Sequence, residues 1–333
     1  MKKFLSLVLC LLMVAAVFAG CTGNTADVSS DVTPAEKTTV RLAGMKGPTT
    51  MGLVKLLDEN DKGEAANNYE FSLKGAADEI TPLLTKGELD IAAVPANLAS
   101  VLYNKTEGGI TLLAVNTLGV LYIVEKGDTV KTVSDLAGKT IYATGKGTTP
   151  EYSLRYILTA NGINPDTDVT IEWMGEAAEV VTKIAQTEGA IAMLPQPYVT
   201  VAGTKIADLR IALDLNSEWD MVTSDSMMVT GVVVARTEFV KNNKKAVDKF
   251  LKEYKASINY VKENVEEAST LIEKIGIVEK AAIAQKALPG CNLKYLDGDD
   301  MKNAVGGYLQ VLYDNNPAAV GGKLPDDGFY YAK

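Results

Sequence analysis

Residues 91–101 read IAAVPANLASV and residues 191–201 read IAMLPQPYVTV. Each is a short apolar run that stops on a proline, Pro95 in one and Pro195 in the other. Proline cannot donate to a strand ladder, so each run reads as a buried strand whose end is marked. The two prolines are one hundred residues apart, and the same offset holds without a gap from residues 71–101 onto 171–201. Gly75, Ala77, Glu79, Glu88, Ile91, Ala92, Pro95 and Val101 coincide with Gly175, Ala177, Glu179, Glu188, Ile191, Ala192, Pro195 and Val201. Composition alone would give roughly two or three identities over such a span. Upstream, VRLAGMKGPTT (40–50) lies over TIYATGKGTTP (140–150), with Ala43, Lys46, Gly47 and Thr49 on Ala143, Lys146, Gly147 and Thr149.

Each copy reads as a parallel α/β unit. TTVRLAG (38–44) and KTIYATG (139–145) are strands, followed by glycine turns. Thr49 or Thr50 in the first copy and Thr148 in the second can cap a helix. The first helix is expected to run through Met51, Val54 and Leu57, and Pro150 falls near the start of the second, where a missing N–H costs little. Alternating strands and helices predict two doubly wound α/β lobes. ITLLAVNTLGVLYIVEKGD (110–128), with Gly119 inside it, is suited to crossing between lobes, and SMMVTGVVVARTEF (226–239) to returning. The expected organisation is two lobes joined by two hinge strands with a ligand cleft between them: lobe 1 over 38–118, lobe 2 over 119–231, and 232–333 returning to lobe 1 and ending in helices. Val247, Phe250, Leu251, Tyr254, Ile258 and Val261 follow helical spacing and read as a core face.

The start, MKKFLSLVLCLLMVAAVFAGC, has two lysines, an apolar stretch and a small pair before Cys21. It reads as a secretory signal peptide over 1–20, too short for a membrane span. VFAGC resembles the lipobox of bacterial lipoproteins, which implies lipidation at Cys21 and anchoring to the cell membrane, although Phe18 stands where Leu is usual. Polar residues 21–37 then read as a flexible tether. Cys10 leaves with the signal and Cys21 takes the anchor, so Cys291 has no partner and no intramolecular disulfide is expected.

The chain has 333 residues, 47% of them hydrophobic and 23% charged, and a formal net charge of -9. Removing Lys2 and Lys3 takes it to -11, since both are positive. Without a basic patch interleaved with aromatics, nucleic acid is not expected as a partner. The chain has no histidine, which excludes a Ser/His/Asp or Cys/His nucleophilic site and removes the commonest metal ligand. No cofactor is expected, and the protein is read as a monomer and not an enzyme.

Ligands of open α/β sheets bind beyond the carboxyl ends of the strands. The candidate ligand-binding residues are therefore Met45, Lys46, Pro48, Thr49 and Thr50, Ala96 and Asn97, Thr117, Lys146, Thr148 and Thr149, Gln196, Pro197 and Tyr198, and Met227. Threonine hydroxyls beside free N–H groups at helix starts suit an anion, though capping alone also accounts for them. A helix N-terminus contributes about 0.3–2 kcal/mol to an anion, against ~8 kcal/mol for micromolar binding. Apolar or stacking contacts are needed too, with Tyr198, Tyr152, Trp173, Met45 and Met227 as candidates or as packing.

The lipobox-like start, the paired glycine turns, the crossings and the ending LPDDGFYYAK together resemble the substrate-binding lipoproteins of ABC importers. Within them the chain is similar to the sulfonate, nitrate and thiamine-pyrimidine group. The resemblance covers about residues 38–333 and implies the type II periplasmic-binding-protein fold, capture of a small solute by lobe closure, and delivery to an ABC permease. Sulfonate binders of that group carry Trp-Asp-Pro-aromatic where this chain has Pro195, Gln196, Pro197 and Tyr198, so only the last two match and a sulfonate is in doubt. The expected solute is a small organic one, anionic or aromatic. Two other readings stay open: an enzyme of the same fold class, of the pyrimidine or menaquinone pathway type, and a surface sensor lipoprotein.

Overall fold

The computed structural model describes residues 37–332. The signal peptide, most of the tether, Cys10 and Cys21 lie outside the described residues.

The chain begins with β1 (Thr39–Met45), α1 (Pro48–Met51), α2 (Val54–Asp61), β2 (Asn68–Lys74), α3 (Ala77–Thr85), β3 (Ile91–Pro95), α4 (Ala96–Lys105) and β4 (Ile110–Leu118). It then crosses to β5 (Leu121–Lys126), β6 (Thr140–Thr144), α5 (Thr149–Ala160), β7 (Thr170–Met174), α6 (Ala177–Ala185), β8 (Ile191–Pro195), α7 (Tyr198–Lys205), β9 (Leu209–Asp214) and α8 (Leu215–Val222). It returns through β10 (Val229–Arg236), α9 (Thr237–Asn242), α10 (Lys244–Glu263), α11 (Val265–Ile275), α12 (Ala281–Ala287), β11 (Leu293–Leu296) and α13 (Gly298–Asn315).

The strands form two sheets, β11-β4-β10-β3-β1-β2 and β7-β6-β8-β5-β9. In each, three parallel strands (β2-β1-β3 and β7-β6-β8) meet an antiparallel strand that belongs to a crossing, β10 in the first sheet and β5 in the second. β3 is buried along its whole length and β8 up to Pro195, as expected of parallel strands covered on both faces.

The hundred-residue offset matches α3 to α6 and β3 to β8 residue for residue. In the first strand it slips by one. Leu42 pairs with Ile91 while Ile141 pairs with Ile191, so Leu42 corresponds to Ile141. The linker before α5 is longer than that before α1, and it restores and then overshoots the offset. The helix expected through Met51, Val54 and Leu57 is divided into α1 and α2 by Gly52 and Leu53.

The outward crossing runs strand to strand over Gly119 and Val120. A Cβ at Gly119 would stand 2.6 Å from Met228 Cε and collide with Asn216, so only glycine lets the crossing and the return segment touch there. The return runs through residues 223–228 without regular structure. It is complete by Val229, since all of β10 lies in the first sheet.

On α10, Val247, Phe250, Leu251, Tyr254, Ile258 and Val261 are all buried. Each aliphatic or Phe side chain so buried is worth about 1.5–3 kcal/mol, far more than the surface ion pairs of the same helix. One core cluster belongs to the outer side of each lobe. A third joins Ile80 and Val115 of the first lobe, Leu121, Ile123, Leu154 and Trp219 of the second, and Tyr308 and Leu309 of α13.

Candidate functional site

The carboxyl ends of the parallel strands of both sheets open on one cavity of about 330 Å³. Its walls come in matched pairs: the turns after β1 and β6, the starts of α3 and α6, and the ends of β3 and β8. Lys46 and Lys146, Gly75 and Gly175, Ala77 and Ala177, and Pro95 and Pro195 all line it. Apolar contact comes from Met45, Pro48, Leu121, Pro150, Met174 and Tyr198. Buried residues (Pro48, Thr49, Pro95, Leu121, Thr230) form the deep part, and Lys46, Lys146 and Asp78 are exposed at the rim.

Helix starts reach the cavity from both lobes, but much of their donor capacity is already used. Glu79 accepts from the N–H groups of Gly75 and Ala76 at 2.8 and 3.1 Å, Glu179 from Gly175 at 3.0 Å, and Glu151 from Gly147 at 2.6 Å. The charged groups of the lining are Lys46, Lys146, Asp78 and Glu176, and an acidic group placed there would find its positive partners in the two lysines and in first-turn N–H groups with no intrahelical partner. Glu176 crosses from the second lobe to the first: a Cβ built on Gly75 would stand 2.5 Å from its Oε1. Burial raises the Tyr198 phenol above its ordinary value, and the negative charges of Glu176 and Glu279 add to this, so it stays protonated and can donate.

Of the residues expected at the site, the cavity is lined by Met45, Lys46, Pro48, Thr49, Lys146, Thr148 and Tyr198. The others lie elsewhere. Thr50 is buried, and its hydroxyl donates to the Met45 carbonyl at 2.6 Å. Thr148, which does line the cavity, is the N-cap of α5 without a side-chain capping bond, and its hydroxyl donates to the Gly145 carbonyl at 2.7 Å. Ala96 and Thr117 are wholly buried behind the wall. Asn97 donates to the Ala319 carbonyl at 2.9 Å and to the Gly147 carbonyl at 3.4 Å and accepts from Thr149 Oγ1 at 3.3 Å. Asn97 and Thr149 thus tie the lobes together and do not line the cavity. Gln196 turns back on α7, accepting from the N–H and hydroxyl of Thr200 at 3.3 and 2.9 Å. It is joined by a cis bond to Pro197, which is buried. Met227 is exposed on the return crossing. Of the other stacking candidates, Trp173 packs on the core, and Tyr152 lines a different depression.

Residues 75–78 and 175–177 are not among the candidates, although the identities of Gly75 with Gly175 and of Ala77 with Ala177 at the hundred-residue offset are visible in the sequence. Thr230 had no sequence signal. The outer depression, about 760 Å³, lies between the second lobe around Arg155, whose charge is met by Glu151 and Asp166, and the end of α13 at Asn315 and Asn316. A groove of about 440 Å³ between α6–α7 and α11–α12 shares Lys46, Glu176 and Tyr198 with the cleft and forms its approach.

Two α/β lobes with paired loops facing across one cavity define a solute clamp. Over residues 64–287 the chain matches the family described as "ABC transporter, phosphonate, periplasmic substrate-binding protein", and it belongs to that family. Its fold is similar to that of an ABC transporter protein from Parabacteroides distasonis, at 27% identity and TM-score 0.74, over 89% of this chain and 100% of that one. It is also similar to the periplasmic aliphatic sulphonate-binding protein SsuA from Escherichia coli, at 15% identity and TM-score 0.68, over 87% and 93%. The alkanesulfonate-binding protein SsuA from Xanthomonas axonopodis pv. citri, bound to MOPS, matches at 14% and 0.68, over 88% and 96%. No curated protein matches the chain. The protein is the periplasmic substrate-binding component of an ABC import system, binding a small molecule and working with an ABC transporter. Membership of a family of binding proteins sets aside the enzyme reading. Among the described residues, no helix is long and apolar enough to cross a membrane.

Proposed function

We propose that the cleft captures a small organic acid with an apolar or aromatic body, by closure of the two lobes on it, and presents it to an ABC permease. The cavity carries this reading: it is small and mostly apolar inside, and each lobe brings one lysine to its charged lining, Lys46 and Lys146, beside Asp78 and Glu176. The acid group, whether phosphonate, sulfonate or carboxylate, meets Lys46 and Lys146. The body packs against Met45, Pro95, Pro150, Met174, Pro195 and Tyr198. This division of labour suits the energetics, since a helix start contributes only about 0.3–2 kcal/mol to an anion, against ~8 kcal/mol for micromolar binding. A thermal-shift panel of organic phosphonates, sulfonates, carboxylates and aromatic acids tests it. A true solute at one hundred times its Kd adds about 2.7 kcal/mol and raises the melting temperature by a few degrees. A panel in which only neutral or cationic compounds stabilise the protein sinks the reading.

A second element of the proposal is tethering through a lipid on Cys21. Cys21→Ser is then expected to move the protein from the membrane fraction to the soluble one. Equal membrane retention of this variant and the wild type argues against the anchor.

A further inference from the structure

The deep end of the cleft holds a group of buried polar side chains with atoms that the fold leaves unpaired. Thr49, Asn116, Thr117 and Thr230 are each less than nine per cent exposed, at 5%, 1%, 0% and 8%. The hydroxyl oxygens of the three threonines and Oδ1 of Asn116 have no hydrogen-bond partner in the protein. Thr49 and Thr230 line the cavity, whereas Asn116 and Thr117 do not; the unpaired oxygens are themselves covered, so a side-chain rotation brings a threonine hydroxyl to a solute. Buried polar atoms are costly to leave unpaired, and the great majority in folded proteins are paired.

The strands are shaped to create this group. Between β10 and β4, Val229 pairs with Leu118, Gly231 with Thr117 and Val232 with Val115. Thr230 therefore has no opposite residue on β4, and Asn116 has none on β10. Bulges of this kind re-aim side chains and are common beside functional sites. Gly231 allows the crowding: a Cβ there would stand 2.5 Å from Asn116 Oδ1 and collide with the Thr49 methyl. The Asn116 amide is oriented by its donation to the Thr49 carbonyl at 3.2 Å, so its oxygen is the atom left to accept.

We infer that Thr49 and Thr230 form a neutral hydrogen-bonding subsite at the floor of the cleft. It reads an uncharged donor–acceptor group, such as a hydroxyl or an amide edge, at the end of the solute opposite its acid. This rests on the organic-acid reading given above. The group is uncharged because no charged side chain belongs to the buried part of the lining, and an ion there would be desolvated without a counter-charge. Hydroxyls that both donate and accept, backed by an acceptor amide oxygen, match a group that does both.

The test uses matched probes on the full chain: benzoate against 4-hydroxybenzoate, and benzenesulfonate against 4-hydroxybenzenesulfonate, by titration calorimetry. Each hydroxylated member is expected to bind wild type about tenfold tighter. Thr230→Val, and independently Thr49→Val, is expected to shrink that preference to under about threefold. The ligand-free variants are expected to melt no lower than wild type, because nothing in the fold uses these hydroxyls. Equal affinity for the members of a pair in wild type overturns the subsite, as does a preference that survives both substitutions. A fall of more than about 2 °C in both ligand-free variants also overturns it, since it would mean the hydroxyls are paired within the protein. If none of the four probes binds wild type but another acid of the panel does, the comparison is made between that acid and its hydroxylated analogue; if no acid binds, the organic-acid reading fails and the floor is judged on the melting temperatures alone.

Discussion

Asp90 shows how one side chain far from the cleft holds its frame. It stands just before β3, is 3% exposed, and accepts from the Arg41 N–H at 3.0 Å, from Arg41 Nε at 2.9 Å and from both guanidinium groups, Arg41 at 2.6 Å and Arg236 at 2.8 Å. β1 and β10 are thereby fixed to β3 at the end opposite the solute. Burial alone would raise the Asp90 carboxyl, but the hydrogen bonds from Arg41 and Arg236 outweigh it and hold the group below the usual carboxylate range. A carboxyl depressed in the folded state contributes stability that is present above its unfolded pKa, near 3.9, and lost as pH falls through the folded value. Asp90→Asn is expected to cost about 2–3 kcal/mol at neutral pH, less than a fully buried pair because both arginines are partly exposed. Denaturant melts from pH 7 down to pH 3 check this: the gap to wild type stays constant at and above about pH 5 and narrows below about pH 4. A gap independent of pH throughout would show that shape, and not charge, is what Asp90 supplies.

Among elements, the sequence carried the parallel units and the proline stops because these follow from local rules. Pro95 and Pro195 do end β3 and β8, and α3 and α6 begin at Ala77 and Ala177. Similarity of residues did not reveal register. Ala43 over Ala143 is an attractive match, yet the strand pairing places Leu42 with Ile141, a shift that only the neighbours β2 and β3 impose. The same limit governs the site. Lys46 and Lys146 sit on turns leaving strand ends and Tyr198 begins the helix that follows β8, places the sheet rule locates without knowing the packing. Asn97, in the first turn of α4, and Gln196, just before α7, follow strand ends in the same way, but one is claimed by the Ala319 carbonyl, 222 residues away, and the other by Thr200 of α7. Thr230 was illegible for a further reason: its aim depends on a bulge set by the partner strand β4. A residue's place at a strand end is written locally, whereas the partner that captures its side chain is not.

At the scale of the whole molecule, a clamp must move without coming apart. Chains of this size with two lobes commonly unfold in separate steps, because each lobe has its own core. Here α13 and the outer core clusters are joined by a third that draws on both lobes. Tyr308 of α13 lies 2.9 Å from Ser153 of α5, hydroxyl to hydroxyl. Asn97, Ser100 and Asn104 of α4 donate to carbonyls of Ala319 and Val320 at 2.8–2.9 Å, and Asn97 also meets Thr149 across the lobes. Separating the lobes would expose Leu121, Leu154 and Trp219 together with Val115 and Leu309, at about 25 cal/mol for each Å² of apolar surface. The closure proposed above is therefore expected to be a rotation that keeps this joined side in contact. The calorimetric consequence is one transition whose van't Hoff and calorimetric enthalpies agree, and a solute that binds the cleft raises that single transition as a whole. Two resolved transitions, with solute displacing only one, would mean that the shared cluster does not couple the lobes and that each folds on its own.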